Sequence, residues 1–547
     1  MKLLLVAIDA KYIHTNLAVR YLKANCDFPV DICEFTIKNN LERMGRDIID
    51  KNPDLVGFSV YIWNVEIVRK LTALIGRNHR CRIVWGGPEV SYDSESYFEH
   101  LPIDYIIRGE GELAFNQLVH ALNGDMALED VANLSYRKGS MVLSNPDRPI
   151  ADLSRLHNPY FFPEFYSAIP NKFQYVESSR GCPFHCSYCL ASLDNRVRFF
   201  PIELVKANID FLVMKGARTI KFLDRTFNLR ETRVLEILRH IVSLKTDNVS
   251  FQFEVNADIL STDLIDKINA FVPKGLIRFE IGIQSANEAS NLAVKRIQDL
   301  EVLFNNIRRL QKADVVDLHL DLIAGLPEED LDSFENTFNL ALSCRAKELQ
   351  LGFLKLLKGT SLRDEADKFG YEYHKTPPYE VYRNYWLSEK DILEIKMVEK
   401  MLNIYWNKGF MNNAIGFIVD NVASAFAFFR ELARYYLNNH YDTGRYQLAD
   451  VFERLNQFLT ERYPEIQALS FSELKKDYLE YHSFRPKIWW DHRSIHKNSL
   501  LRQYFLMDQT FSLDSLYKYS VVTTYHDKYM IVLYLPDQRI TRMVSFI

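Results

Sequence analysis

Short apolar runs alternate along this chain with stretches whose apolar residues recur every three or four positions, the pattern of strands interleaved with amphipathic helices. In residues 1–125 the runs fall at 3–8, 30–35, 55–60, 82–85 and 105–107, with helical spacing at 16–23 and 65–74. They predict an α/β module with a doubly wound parallel sheet, whose ligand crevice lies beyond the C-terminal ends of its strands. Residues 126–170 read as a connector: a hairpin over 133–143 turning at Lys138-Gly139, then a proline-bearing extended crossing. From 171 to 365 the alternation resumes, with strands expected at 175–178, 219–223, 250–255, 277–283, 316–321 and 349–354. Six β/α units predict a partial barrel rather than a closed eightfold one. From 366 to 547 the pattern becomes that of a mostly helical α+β module, with helices at 389–406, 413–437 and 447–460 and a closing hairpin of 520–525 and 528–534.

Composition adds little to this picture. The 547 residues, 48% hydrophobic and 25% charged, are ordinary for folded domains and numerous enough for three. The apolar run at the N-terminus is too short for a membrane span and lacks a cleavage signature, so it reads as a strand and the protein is expected in the cytoplasm. The stretch 415–429 contains Asp420, Asn421 and Ser424 and reads as a buried helix, not a span. A net charge of −4 gives no footprint for nucleic acid, and residues 371–547 hold 22 Lys+Arg against 21 Asp+Glu. Lys487-Ile-Trp-Trp-Asp-His492 reads as part of an aromatic core. Cys26, Cys33, Cys81 and Cys344 are scattered in apolar contexts as small buried hydrophobes.

The other three cysteines are different. Cys182, Cys186 and Cys189 crowd the run Gly181-Cys-Pro-Phe-His-Cys-Ser-Tyr-Cys189, directly after a strand and the turn Arg180-Gly181. Three thiolates on one loop suit a four-iron cluster with one iron left open. The alternative is a zinc knuckle completed by His185 or a distant side chain; the gaps of three and two, and the lack of a second Cys pair downstream, weigh against it. Successive strands of this module also end in polar or glycine-rich groups: Asp224-Arg-Thr-Phe-Asn228, Glu254 with Asn256, Gly282-Ile-Gln-Ser285, and Asp321-Leu-Ile-Ala-Gly-Leu-Pro327. Each alone is an ordinary turn, but four at one edge beside the cysteine loop point to a ligand.

The cysteine loop resembles that of the radical S-adenosylmethionine (radical SAM) superfamily. The resemblance implies a [4Fe–4S] cluster on Cys182, Cys186 and Cys189, whose open iron chelates S-adenosylmethionine and whose electron cleaves the sulfonium to a 5′-deoxyadenosyl radical. It places Gln284 and Ser285 at the ribose or carboxylate of that cofactor, Glu254 near the ribose hydroxyls, Arg296 against a carboxylate, the backbone of Tyr188 near the adenine, and Asp321 toward the substrate. Three loops of the first module, Ser59-Val-Tyr-Ile-Trp63, Gly86-Gly87-Pro-Glu-Val-Ser91 and Arg108-Gly109-Glu110-Gly-Glu112, resemble in order those of the cobalamin-binding domain fused to one large radical SAM subclass. The Asp-x-His-x-x-Gly pattern of some cobalamin domains is absent. His14 stands in the corresponding loop with different spacing, as a cobalt ligand, a helix cap or a corrin contact. The last module resembles a C-terminal domain of unknown function found behind this core in bacterial proteins.

The combination implies methylation of an unactivated carbon of an unknown small-molecule or peptide substrate, through the deoxyadenosyl radical and methylcobalamin, fed by a flavodoxin- or ferredoxin-like electron donor. Cyclisation or rearrangement with the same cofactors, a cobalamin and iron–sulfur sensor or carrier, and modification of transfer RNA are the alternatives. The absence of a basic segment counts against the last.

Overall fold

The computed structural model describes residues 1–78, 81–246, 248–491 and 496–545. The run at the N-terminus forms β1 (Leu3–Asp9), buried along its whole length within a seven-stranded sheet. The other members are β2 (Val30–Thr36), β3 (Leu55–Ser59), β4 (Arg82–Gly86), β5 (Tyr105–Ile107), β6 (Leu134–Lys138) and β7 (Met141–Ser144), in the order β2-β1-β3-β4-β5-β6-β7. Pairings among the first five are parallel. The hairpin expected before the crossing extends this sheet, β6 pairing antiparallel with β5. Alternate residues supply two cores, Leu4, Val6 and Ile8 on one face and Leu3, Leu5 and Ala7 on the other, as a sheet covered on both sides requires. Because β2 and β3 flank β1, the order reverses at β1, and the crevice for a ligand opens past Asp9 and Ser59.

The second sheet contains β8 (Gln174–Val176), β11 (Thr219–Phe222), β12 (Ser250–Val255), β13 (Ile277–Gln284), β14 (Asp317–Ala324) and β15 (Glu348–Phe353), in the order β15-β14-β13-β12-β11-β8. The pairings from β8 to β14 are parallel. Two short strands, β9 (Ser179–Arg180) and β10 (Arg198–Phe199), form an antiparallel ribbon bracketing the cysteine loop. In β13, buried Ile277, Phe279, Ile281 and Ile283 alternate with Arg278, Glu280, Gly282 and Gln284, which are half-buried. One face therefore packs apolar, and the other carries charge.

The chain divides into two compact units, residues 1–329 with 352–388 and residues 330–351 with 389–547, so that β15 straddles the boundary. The second unit contains helices Leu331–Ser343, Glu389–Tyr405, Asn412–Asn421, Ala425–Asn438, Leu448–Arg462 and Pro464–Tyr481, among others. The helix expected over 413–437 is two. Val422 is extended, and Ser424 starts the second helix by accepting from the Ala427 amide. Arg539–Val544 adds a third strand to the closing hairpin, antiparallel to Lys528–Tyr534. Trp489 packs among Phe452, Phe471, Tyr478 and Trp490, whereas His492 lies outside the described residues. No described helix is long and apolar enough to cross a membrane.

Candidate active site

Buried bonds fix the cysteine loop at both ends. Asp224, which the sequence offered as a strand-end ligand group, is 1% exposed, and it accepts from both the Ser178 amide (2.8 Å) and the Ser178 and Ser179 hydroxyls (2.6 Å each). That carboxylate anchors the chain just past β8. Gly181 follows at φ +88°, where a Cβ would lie 2.3 Å from the Arg196 carbonyl, so only glycine makes this turn. The Cys182 amide donates to Asp194 (2.9 Å) and the Ser187 amide to Val294 (2.9 Å), while the Ser192 hydroxyl reaches the Cys186 and Cys189 carbonyls. Cys182 and Cys186 are buried and Cys189 half-buried.

Among the described residues, Glu280, His319 and Asp321 bring their ligand atoms within 4.8 Å of one another. The Glu280 group is itself no cation cage. The Arg278 guanidinium donates to His319 Nδ1, which leaves the ring proton on Nε2, 3.0 Å from Asp321 Oδ1.

Arg296 braces the cluster loop: one guanidinium nitrogen lies 3.9 Å from Cys186 Sγ and 3.4 Å from Tyr188 Oη, and another donates to the Gly282 carbonyl. It therefore sits as a cation beside a cluster ligand, and the Tyr188 hydroxyl is held in the same contact. Ser285 is bonded within the protein. It is fully buried, and its hydroxyl donates to Glu329 (2.6 Å) while accepting from the Asn287 amide (2.9 Å), so it ties two strand-end loops together. Gln284 adopts φ +68°, and its Oε1 is buried without a donor, as are Asn256 Oδ1 and Asp258 Oδ1. Three buried acceptors lacking donors at the ends of β12 and β13 fit a ligand rich in donors, as the ammonium, ribose and adenine of S-adenosylmethionine are. Beside them Glu254 is pushed up to about 7 by burial, against the pull of Arg225 and helped by Glu280, Asp321 and Asp224.

The other edge belongs to the first sheet. Gly87, at φ +120°, lets the loop after β4 close on β3; a Cβ there would lie 2.5 Å from the Val60 carbonyl. Gly109, at φ +61°, faces open space, and its amide donates to Ser91, whose hydroxyl donates to Gly87. Gly86 continues the same turn, with its carbonyl accepting from the Val60 amide at 2.7 Å. Ser59 accepts from Asn16 at 3.2 Å. Tyr61 and Trp63 stack at 4.3 Å and 6°, leaving Trp63 45% exposed, a flat apolar platform beside these loops that fits a planar macrocycle.

Two residues expected in this crevice have partners in the barrel. His14 Nδ1 lies 2.5 Å from Tyr175 Oη of β8, and burial with nearby Lys221 and Lys11 holds its ring below the usual imidazole range. It is no helix cap, because Asn16 takes that position by accepting from the Val19 amide. Glu110 is committed on both oxygens: Oε1 to Arg180 at 3.1 Å, and Oε2 to Arg198 at 2.8 Å and the Ile150 amide at 2.7 Å. Its carboxylate joins the loop to the barrel. Asn256 is one of the expected strand-end groups, whereas Asp258, Glu329 and the pairing of Arg180, expected only as part of a turn, are not among them. The available signal was position: Asp258 stands three residues past β12, Arg180 directly before Gly181, and Glu329 two residues past the Gly325-Leu-Pro327 motif.

Comparison with known proteins follows the same order along the chain. A B12 binding domain matches residues 3–119, the radical SAM superfamily residues 176–341, and a protein family of unknown function (DUF4080) residues 367–530. The uncharacterized methyltransferase PH0819 of Pyrococcus horikoshii is 30% identical over 335 residues, spanning 58% of this chain and 70% of that protein. The chain belongs to the B12-binding radical SAM family. The cobalamin-dependent radical SAM methyltransferase TokK of Streptomyces tokunonensis is 25% identical over 315 residues, 54% of this chain but only 45% of TokK. The fold also matches the cobalamin-dependent radical enzyme OxsB with aqua-cobalamin and S-adenosylmethionine bound, at a TM-score of 0.61, 14% identity, and coverage of 88% of this chain and 79% of that one. The protein is thus a radical SAM iron–sulfur enzyme, and its cofactors are a [4Fe–4S] cluster, S-adenosylmethionine and cobalamin.

Proposed function

We propose that this B12-binding radical SAM enzyme methylates an unactivated carbon of its substrate. One contact carries the reading: Arg180, two residues before the first cluster cysteine, bonds Glu110 in the cobalamin loop. The two cofactor loops therefore meet, and a substrate held there has access to both. When bound, the cofactors supply the radical and the methyl group. The chain supplies position. Cys182, Cys186 and Cys189 hold the cluster, Arg296 sets a positive charge beside it, and Gln284, Asn256 and Asp258 offer acceptors to the sulfonium cofactor. The names of PH0819 and TokK support methyl transfer. An open iron requires an electron donor of flavodoxin or ferredoxin type and a compartment poor in oxygen, for which the cytoplasm is the simplest choice.

The deciding assay is anaerobic incubation of the reconstituted enzyme with S-adenosylmethionine, a strong reductant and cobalamin. Both 5′-deoxyadenosine and S-adenosylhomocysteine should form. Deoxyadenosine alone would replace methylation by cyclisation or rearrangement. Cys182→Ala should abolish deoxyadenosine formation.

A further inference from the structure

The contact between the cofactor loops is an ion-pair network with little access to water. Arg180 Nη1 lies 3.1 Å from Glu110 Oε1, and its Nη2 lies 2.6 Å from Glu112 Oε1 and 2.9 Å from Glu177 Oε2. Arg198, paired with Arg180 across the β9–β10 ribbon, takes the other Glu110 oxygen at 2.8 Å and Asp194 at 2.5 Å. The rings of Tyr21 and Phe200 stand 5.3 and 5.7 Å from the Arg180 guanidinium. Apart from Asp194, every side chain in the network is less than a fifth exposed. Burial pushes Glu177 up, and against its own burial the Arg180 guanidinium is held well above the ordinary value by Glu177 and Glu112.

Breaking one partner from such a network leaves a buried charge unpaired, which is strongly unfavourable. The loop Gly109–Glu112 therefore cannot shift without carrying Arg180 with it. Arg180 is joined to Cys182 through Gly181 alone, whose left-handed turn lies where a Cβ would meet the Arg196 carbonyl at 2.3 Å, so a displacement of Arg180 bears directly on the first cluster cysteine. A ligand that moves or stiffens either loop acts on the other.

We propose that Arg180 is a positioning residue that links the two cofactor sites, so that occupancy of the cobalamin loop alters the cluster loop and the reverse. The proposal rests on the cofactor reading of both loops. Linkage between two bound groups is reciprocal and commonly amounts to five- to 150-fold, roughly, in affinity. A tie that only holds the fold together would produce no such linkage.

The test titrates hydroxocobalamin into the full chain, anaerobically, with the cluster reconstituted and with iron withheld, reading the bound fraction by equilibrium dialysis. Electron paramagnetic resonance of the reduced cluster, with and without cobalamin, reads the linkage from the other side. In the wild type, cobalamin affinity should differ by about fivefold or more between the two iron states, and the cluster spectrum should change on cobalamin binding. In Arg180→Lys and Glu110→Gln the difference should fall to within about twofold, while iron and cobalamin still bind. Equal affinities in the wild type overturn the proposal whether or not the variants fold. Full linkage in a folded variant overturns it as well. A wild type that binds no cobalamin in either state defeats the cofactor reading itself.

Discussion

Gly181 shows how narrowly a single residue sets the cluster loop. A methyl group there meets a backbone carbonyl that cannot yield, and the positive φ penalises any other residue. Gly181→Ala should cost about 2 kcal/mol or more in stability and lower the iron held per chain after reconstitution. Gly109→Ala has the same sign of φ but open space, and should cost only about 1 kcal/mol with iron content unchanged. Glu254 makes a different prediction. Its folded-state value, about 7, exceeds the ordinary 4.5, so the folded chain binds the extra proton between those values. The cost of the buried carboxylate is therefore absent below about 4.5 and complete above about 7. Glu254→Gln should stabilise the cofactor-free chain by up to about 3 kcal/mol at pH 8 and by less than half of that at pH 5.5, in urea melts at both. An equal gain at the two pH values would contradict the assignment. The cysteines were legible in sequence because their chemistry is local. The partners of His14, Glu110 and Ser285 were not, since Tyr175, Arg180 and Glu329 reach them only through the folded sheets.

Strands read well from the chain because alternation along β13, or a fully apolar run such as β1, is itself the cause of burial. The break between the helices Asn412–Asn421 and Ala425–Asn438 was harder to see. Apolar residues continue on both sides at helical spacing, Ile415 and Ile418 before it and Phe426 and Phe429 after it, so periodicity alone gives one helix. Ser424 directly before the second apolar run was the available signal. Its hydroxyl accepts from the Ala427 amide at 3.1 Å and from Asn339 at 3.0 Å, and donates to Glu335 at 2.5 Å. Ser424→Ala removes the cap and leaves those groups without it, and should cost about 1–2 kcal/mol in a urea melt. No loss would mean that the neighbouring helix, not the cap, sets this boundary.

At the scale of the molecule, the sequence suggests a clean start for the last module near residue 366, and the packing supports no simple cut. Residues Leu354, Leu356 and Leu362 share one core cluster with Tyr371 and Val381, so a chain ending at 365 opens that cluster. A chain ending at 388 keeps it but meets a second obstacle. The helix Leu331–Ser343, which lies between β14 and β15 in the chain, belongs to the unit completed by residues 389–547. Its Phe334 and Phe338 are fully buried, with Phe426 5.4 Å from Phe338 and 6.1 Å from Phe334 between ring centres, and Phe429 6.1 Å from Phe338. Without the later helices these rings face water, a patch that drives association. A chain of residues 1–388 should therefore bind a hydrophobic dye, run as aggregate in size exclusion and hold less iron than the full chain. In the full chain, Phe426→Ala should lower stability by about 3–5 kcal/mol, the range for emptying a packed aromatic site. A 1–388 chain that is monomeric with a full complement of iron would show that the helix Leu331–Ser343 holds without Phe426 and Phe429 around its rings.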